Sequence, residues 1–348
     1  MINQKMKGMF SFIMSFSLMA CSIEQAMNDP IAHFSRVQTI SIPVFNKIEL
    51  ENYEIYRPWE CVKVGHKYYL FDLKNSDVFA SIDDETGCCM RGVNIGDGPD
   101  EVLLPERFVI EGNDVTFYDG ASLKRYVLVE TKDSVLKIEL YQDIGIEAIS
   151  YPTFHGDKML TKGWTGNTWL RYYKGEDIIG TSDFPYFPET DVLSDLEKIS
   201  VFRSGQQKFC PDGTRVVATI DDGCALAIFS CSDEGMEEIA MLKYYPPKFK
   251  PINNPYQPMT TSKDSKMGFV DVCCSEDYIF ALYSGKIFGE DIFSSHYGGH
   301  VFVYDWEGNP IKHYKLEKDL FTIEIDESNG ILYGIGNDSE GCILEYKF

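Results

Sequence analysis

Short runs of alternating apolar and polar residues, each bounded by Gly, Asn, Asp or Pro, recur along the chain and predict β-strands. The clearest example is residues 268–316, where four such runs are joined by turns at 275–277 and 306–309 and by one longer loop. A four-stranded unit of this kind has two apolar faces and cannot cover both by itself. The pattern therefore predicts a protein in which similar units stack on one another.

The second strand of this unit recurs six times along the chain, at intervals of 43 to 63 residues. The copies begin at Lys67, Val115, Lys158, Val216, Ile279 and Ile331. Propeller blades repeat every 40–50 residues or so, and loops between their strands lengthen the period. The sequence thus predicts an all-β fold, a six-bladed β-propeller with four-stranded blades, over residues 36–348.

The last predicted blade has only three strands, at 320–325, 331–335 and 342–347. Residues 36–42 alternate in polarity and have no hairpin partner nearby, so we expect this N-terminal strand to join the last blade. Pairing the two ends of the chain closes the ring and removes two exposed sheet edges. An open pair of sheets is the alternative arrangement, and six copies of similar period are difficult to place in it.

Three stretches interrupt the repeat, at residues 183–202, 244–266 and 286–299. The first includes apolar residues at helical spacing between 189 and 199. The second is rich in Pro, Asn, Lys, Ser and Thr. Insertions in propellers cluster on one face and often form a binding rim. They are also found as solvated loops without a function.

The first strand of each blade lines the central channel, and its side chains are candidates for ligand binding. The mixture of arginine, carboxylate and aromatic groups suits a polar ligand or a peptide. The same side chains could instead simply fill the ring. The candidates are Arg57, Trp59, Glu60, Arg107, Tyr151, Phe154, Arg203, Gln207, Asp271, Thr322 and Glu324.

The amino terminus reads as an export signal rather than as part of the fold. Lys5 and Lys7 precede an uncharged apolar run over residues 9–19, which is too short to span a bilayer. The run ends at Leu18-Met-Ala-Cys21, which resembles the lipobox of bacterial lipoproteins. The resemblance implies a signal peptide over residues 1–20, lipidation of Cys21, and a tether over 21–35. It further implies an outer-membrane lipoprotein, facing the periplasm, with the lipid as its membrane contact.

The net charge restricts the possible partners, and the number of cysteines restricts the possible disulfides. The formal net charge of −22 repels phosphates and argues against a nucleic-acid partner. Of the ten cysteines, nine remain once Cys21 is assigned to the lipid, so they cannot all pair. We expect most of them to be small core residues, with one or two disulfides at most.

The turn Gly96-Asp-Gly-Pro-Asp-Glu101 is one of several segments that resemble a known protein family. Together with residues 277–286 and 301–310 and the lipobox, it resembles the TolB-like six-bladed propeller lipoproteins of Bacteroides-type bacteria. The resemblance spans nearly all of the mature chain and implies the propeller fold, but it implies no activity. On physical grounds Gly96, Gly98 and Pro99 build a tight bend, and Glu101 is placed to cap its backbone amides.

No nucleophile elbow, zinc-protease motif, phosphate loop or EF-hand loop occurs in the sequence. We therefore predict a binding or scaffolding platform without catalysis, whose partner is an envelope protein or peptide, and no cofactor. The alternatives are a calcium-dependent hydrolase or lyase acting on lactones or glycans, and a sensor of a small ligand. The calcium enzyme requires three channel carboxylates around one point, and Glu60, Asp271 and Glu324 are the candidates.

Overall fold

A computed structural model gives the fold, and it describes residues 28–146, 149–163, 166–289, 291, 293–337 and 341–348. The predicted signal peptide and Cys21 lie outside the described residues. Before the first blade come helix α1 (Pro30–His33), β1 (Thr39–Ile42), β2 (Val44–Glu49) and a 3-10 turn at Leu50–Tyr53.

The blades follow in chain order. Blade one has β3 (Pro58–Val64), β4 (Lys67–Asp72), β5 (Asp77–Asp83) and β6 (Cys89–Ile95), followed by the short β7 (Glu101–Val102). Blade two has β8 (Pro105–Glu111), β9 (Asp114–Asp119), β10 (Lys124–Glu130) and β11 (Val135–Asp143). Blade three has β12 (Ile149–His155), β13 (Lys158–Gly163), β14 (Leu170–Lys174) and β15 (Asp177–Ser182).

A 3-10 turn (Pro188–Thr190) and helix α2 (Asp195–Phe202) lead into the second half of the ring. Blade four has β16 (Gln207–Phe209), β17 (Arg215–Ile220), β18 (Cys224–Cys231) and β19 (Met236–Tyr245), followed by the hairpin of β20 (Phe249–Pro251) and β21 (Met259–Thr261). Blade five has β22 (Phe269–Cys274), β23 (Tyr278–Tyr283), a 3-10 turn (Ser294–His296), β24 (Gly298–Asp305) and β25 (Pro310–Leu320). Blade six has β26 (Glu324–Asp326), β27 (Ile331–Gly336) and β28 (Cys342–Lys347).

The innermost strands of the six blades form a closed ring. In chain order β3, β8, β12, β16, β22 and β26 each contact the next, and β26 contacts β3 again. An apolar cluster fills each of the six blade-to-blade interfaces. Between blades one and two, for example, the rings of Phe79 and Phe117 are 4.6 Å apart. The prediction of a six-bladed propeller is confirmed.

An N-terminal strand does close the ring, but it is β2 and not residues 36–42 as predicted. β2 pairs antiparallel with β28, so that Ile48 lies opposite Ile343. Within 36–42 the structure has β1, which pairs in parallel with β25 of blade five. Pro43 separates the two strands, and the polar Asn46 and Lys47 conceal the strand character of β2 in the sequence.

Residues 28–35 are packed against the ring, which corrects the prediction that they form a free tether. Phe34 is buried between blades four and five, where its ring lies 4.7 Å from that of Phe302. Asp29 forms an ion pair with Lys266 at 2.6 Å. His33 shares a hydrogen bond of 2.8 Å with the hydroxyl group of Tyr244.

No disulfide joins any of the nine cysteines of the described chain, so the disulfides that the sequence left open are not formed among them. Six of them are buried, as predicted for small core residues. Neither helix in the described part of the chain has the length and apolar character needed to cross a lipid bilayer.

The three interruptions of the repeat lie on one face of the ring, as predicted. They are residues 183–206, 246–268 and 284–297, and each connects strand ends on the side where the innermost strands begin. This side is called the insertion face, and the side where the innermost strands end is the hairpin face. The helix in the first insertion begins at Asp195, later than the spacing suggested, where Ser194 and Glu197 form a capping box.

Candidate functional site

Charged side chains from five of the six innermost strands meet in the central channel. Because successive residues of a strand point to opposite faces, each innermost strand presents a small number of side chains to the ring axis. The cluster consists of Glu60 from β3, Arg107 from β8, Lys208 from β16, Asp271 from β22 and Glu324 from β26. It holds three carboxylates and two cationic groups, and is called the channel cluster.

Arg107 spans the channel. Its Nη1 donates to Oδ1 of Asp271 at 3.0 Å and lies 3.6 Å from Oε1 of Glu60. Blades two and five are opposite each other in a six-membered ring, so the Arg107–Asp271 pair crosses the axis. The second oxygen of Asp271 accepts from the backbone N–H of Ile323 at 2.8 Å. The contact thereby ties blade six to the same cluster.

Lys208 completes the cluster, although the sequence analysis did not select it. Its Nζ lies 2.5 Å from Oε1 of Glu324, and both side chains keep nearly a fifth of their surface exposed. The sequence predicts Arg203 on the first strand of blade four, whereas β16 begins at Gln207 after helix α2. If helix α2 is recognised as ending at Phe202, the innermost strand of blade four must begin after it. Lys208 is then the central residue of that strand.

Burial and charge shift the ionisation of the cluster. Burial raises the pKa of Glu60 to about 7, with Arg107 and Lys208 opposing the shift and Asp271 and Glu324 adding to it. For Lys208, burial acts to lower the pKa, but Glu324 and Glu60 outweigh it and the pKa is raised. Oε2 of Glu60 is buried and has no hydrogen-bond partner among the described residues. Within the described part of the chain, one carboxylate oxygen of the cluster is therefore left without a hydrogen-bond donor.

The other predicted channel residues lie elsewhere or have other roles. Arg57 is exposed ahead of β3, and Arg203 follows helix α2 in the first insertion, so neither joins the channel cluster. Trp59 is 45% exposed on the insertion face, where its ring lies 5.1 Å from that of Phe321. The amide of Gln207 donates to the carbonyl oxygen of Tyr151, a half-exposed residue with a φ of 49°.

A cavity of about 340 Å³ opens from the channel on the hairpin face. The innermost strands of blades two to six line it, with aromatic and aliphatic side chains on the walls and the Lys208–Glu324 pair among the lining groups. Phe154, one of the predicted channel residues, contributes to this wall, while Thr322 is buried and its hydroxyl group accepts from the N–H of Ile335 at 3.2 Å.

A model of the TolB-like 6-blade propeller-like family matches residues 46–328 of the sequence. The chain belongs to this family. The match covers blades one to five and the first strand of blade six, and the family resemblance seen in the sequence is confirmed. No curated protein sequence matches the chain.

Three solved structures are similar to this TolB-like propeller, and the first of them shows the same fold. A putative exported protein of Bacteroides fragilis is similar over 89% of this chain and 99% of its own, with a TM-score of 0.52 and 14% identity. BamB of Moraxella catarrhalis is similar over 83% of this chain and 69% of its own, at a TM-score of 0.37 and 12% identity. A functionally unknown protein of Desulfotomaculum acetoxidans has a TM-score of 0.41 and 10% identity, over 74% and 71% of the two chains.

The turn of Gly96, Gly98, Pro99 and Glu101 has a structural role in this TolB-like propeller. Oε2 of Glu101 accepts from the backbone N–H of Gly98 at 3.0 Å, as predicted. Neither glycine has a positive φ, and both leave room for the Glu101 carboxylate. A Cβ atom on Gly96 would lie 2.0 Å from Oε2 of Glu101, and one on Gly98 would lie 2.9 Å from it. The turn lies on the insertion face, away from the channel cluster.

The channel cluster does not favour calcium. Glu60, Asp271 and Glu324 do lie in one cluster, as the calcium hypothesis requires, but Arg107 and Lys208 already supply the opposing charge. A divalent cation would have to displace or approach these two groups. Within the described ranges, no three His, Cys, Asp or Glu side chains have an arrangement suited to holding a metal ion.

The insertion face of this TolB-like propeller carries most of the exposed large apolar side chains of the described chain. A soluble surface seldom concentrates such groups on one side unless that side binds something. The residues on this face are Tyr56, Trp59, Leu73, Ile95, Leu103, Leu104, Tyr151, Tyr186, Val192, Leu196, Ile252, Tyr256 and Phe293.

Proposed function

We propose that this chain is a lipid-anchored cell-envelope propeller that binds an envelope protein or peptide through its insertion face, without catalysis. The observation that carries the proposal is the concentration of exposed apolar side chains on the face that also bears the three insertions. Aromatic side chains are enriched in the cores of protein–protein interfaces. The lipobox at Cys21 supports the anchor, and the Bacteroides fragilis relative, described as a putative exported protein, supports export.

The insertions form a connected surface, as a binding platform requires. Helix α2 of the first insertion packs against β21 of the second. The second and third insertions are joined by backbone hydrogen bonds from Phe288 to Ser265 at 2.9 Å and from Gly289 to Lys263 at 2.8 Å. On this surface Val192 is 88% exposed and Tyr256 is 85% exposed. Such side chains would be covered by a partner at little cost in conformational entropy, since the backbone beneath them is already held.

Capture from the envelope tests the platform. The full chain and a Tyr186→Ser, Val192→Ser, Tyr256→Ser triple variant are produced with a tag in the same host, cross-linked in cells, and the captured proteins are compared. We expect one dominant partner with the unmodified chain and at least about a tenfold loss with the triple variant, since buried aromatic anchors dominate interface energies. The matched control is Leu140→Ser, Ile178→Ser, Ile239→Ser, which removes exposed apolar groups from outer blade edges.

Equal loss in both triple variants, or equal capture in both, contradicts a role for the insertion face.

Lipidation of Cys21 is tested separately. A Cys21→Ala chain should fail to incorporate labelled fatty acid and should leave the membrane fraction. Persistence of the label in Cys21→Ala would contradict the anchor. The platform experiment is unaffected, because it compares chains that all retain Cys21.

A further inference from the structure

The cavity of about 340 Å³ on the hairpin face is lined by apolar side chains and, at one end, by charged side chains. Its walls include Phe108, Ile110, Phe154 and Phe209, from the innermost strands of blades two, three and four. Small-molecule sites typically begin at roughly 300 Å³, and they combine apolar walls with a small number of polar groups. The cavity meets both conditions, and it lies on the side opposite to the insertion face.

The charged end of the cavity is defined by Lys208 and Glu324. Both groups line the cavity, and Oε1 of Glu324 pairs with Nζ of Lys208 at 2.5 Å. Behind them lie Arg107, Asp271 and Glu60, so that three carboxylates face two cationic groups. Glu60 does not line the cavity, and its buried Oε2 has no partner among the described residues.

We propose that this cavity binds a primary ammonium group carried on a short apolar chain, with the ammonium at Glu324 and the chain along the Phe108–Ile110 wall. This is the chemistry of a lysine side chain and of a free alkylamine. An anionic head would face a cluster with an excess of one carboxylate inside a protein whose net charge is −22. An ammonium group instead adds donors and a positive charge beside the Glu324 carboxylate, and its short chain packs along the apolar wall.

The first test compares three probes of equal length, hexylammonium, hexanol and hexanoate, by calorimetric titration of the purified full-length protein. We expect hexylammonium to bind about tenfold or more tightly than hexanol, which corresponds to one neutralised charge contact. Hexanoate is expected to bind most weakly. Preferential binding of hexanoate, or equal binding of all three, would overturn the proposal.

Two variants locate the site. Glu324→Gln keeps the shape of the side chain and removes its charge, and we expect about a tenfold loss of hexylammonium affinity with little change for hexanol. Its control is Glu327→Gln, an exposed residue of the following turn. Ile110→Ser should weaken hexylammonium but not methylammonium, since only the longer probe reaches the wall. Ile178→Ser, exposed on blade three, is the matched control.

Unchanged hexylammonium affinity in both Glu324→Gln and Ile110→Ser would overturn the site even if the protein binds amines. The two sources of the chemistry are then separated with an acetyl-Gly-Lys-Gly-amide peptide, its norleucine counterpart and free hexylamine. Preference for the lysine peptide over the amine indicates a protein ligand, and the reverse indicates a free amine. The proposal concerns the hairpin face and does not depend on the platform at the insertion face.

Discussion

Arg107 of blade two and Asp271 of blade five meet across the axis of the ring, with Nη1 and Oδ1 3.0 Å apart. Both side chains are largely buried, and Glu60 of blade one lies within 3.6 Å of the same guanidinium group. One arginine thus connects blades one, two and five.

Removal of the Arg107 side chain should lower the stability of the folded protein. In Arg107→Met the carboxylates of Asp271 and Glu60 remain buried without their cation, and we expect the free energy of unfolding to fall by about 3–5 kcal/mol. Urea denaturation followed by fluorescence measures the change. Arg57→Met, at an exposed position, is the control and should change stability by no more than about 0.5 kcal/mol. A loss below about 1 kcal/mol in Arg107→Met would contradict a structural role for the pair.

Glu60 makes stability depend on pH in a defined direction. Since burial raises its pKa to about 7 in the folded protein, from near 4.5, the folded state binds more protons than the unfolded state between these values. Its contribution therefore lowers stability as pH rises from 4.5 to 7. In Glu60→Gln the stability difference between pH 5 and pH 7.5 should shift by about 1–3 kcal/mol in favour of the higher pH. Exposed Glu139→Gln should leave the pH profile of unfolding unchanged.

His313 should make the attachment of β1 sensitive to acid. Its Nε2 shares a hydrogen bond with Nδ1 of His300 at 2.8 Å, and its Nδ1 shares one with the hydroxyl group of Thr39 in β1 at 2.9 Å. Burial and the neighbouring His300 lower the pKa of His313 to about 4, so the folded state takes up fewer protons than the unfolded state between pH 6.5 and 4. This contribution to stability is present above pH 6.5 and is lost as pH falls.

Peptide-level hydrogen exchange, corrected for the pH dependence of the intrinsic rate, measures this effect on β1. We expect protection of residues 39–42 to fall between pH 7 and pH 5, while protection of β23 in the core stays constant. The loss should be smaller in His313→Phe, because the titrating ring is replaced by an apolar one. Constant protection of β1 across this range would count against the histidine contact.

Glu345 holds the closing interface between blade six and blade one. Its carboxylate accepts from Nδ2 of Asn46 in β2 at 2.7 Å, from the hydroxyl group of Tyr68, and from Nζ of Lys63 at 3.5 Å. In Glu345→Ala three donors lose a buried acceptor, and we expect a loss of about 3 kcal/mol in the free energy of unfolding. Thermal unfolding checks this against Glu237→Ala, an exposed glutamate on β19. Similar midpoints for the two variants would contradict the role.

The repeat could be predicted from the sequence, and so could four members of the channel cluster, Glu60, Arg107, Asp271 and Glu324. The reason is physical. In these blades, the alternation and the turn chemistry that define a strand also define which strand is innermost. Blade four differs, because helix α2 ends at Phe202 and β16 begins only at Gln207. A strand expected from residue 203 onward therefore starts too early, which selects Arg203 in place of Lys208.

The closing strand could not be assigned for a different reason. β2 is stabilised by partners almost 300 residues away, such as Glu345 for Asn46, and not by a local apolar pattern. The packing of residues 28–35 likewise depends on Phe34, a single aromatic residue whose pocket is formed by blades four and five. Long-range contacts of this kind leave no signature in the neighbouring sequence.

The ion pair between Asp29 and Lys266 fixes the point at which the N-terminal segment reaches the ring. Lys266 belongs to the second insertion, so the chain reaches the ring at the edge of the insertion face. Seven residues separate Cys21 from Asp29, so eight residue-to-residue steps join them, and a chain of that length reaches at most about 28 Å. With a lipid on Cys21, this short segment would keep the insertion face of the propeller close to the bilayer. A partner for that side would then be sought among proteins of the same membrane, and ligands of the opposite side among those in the surrounding fluid.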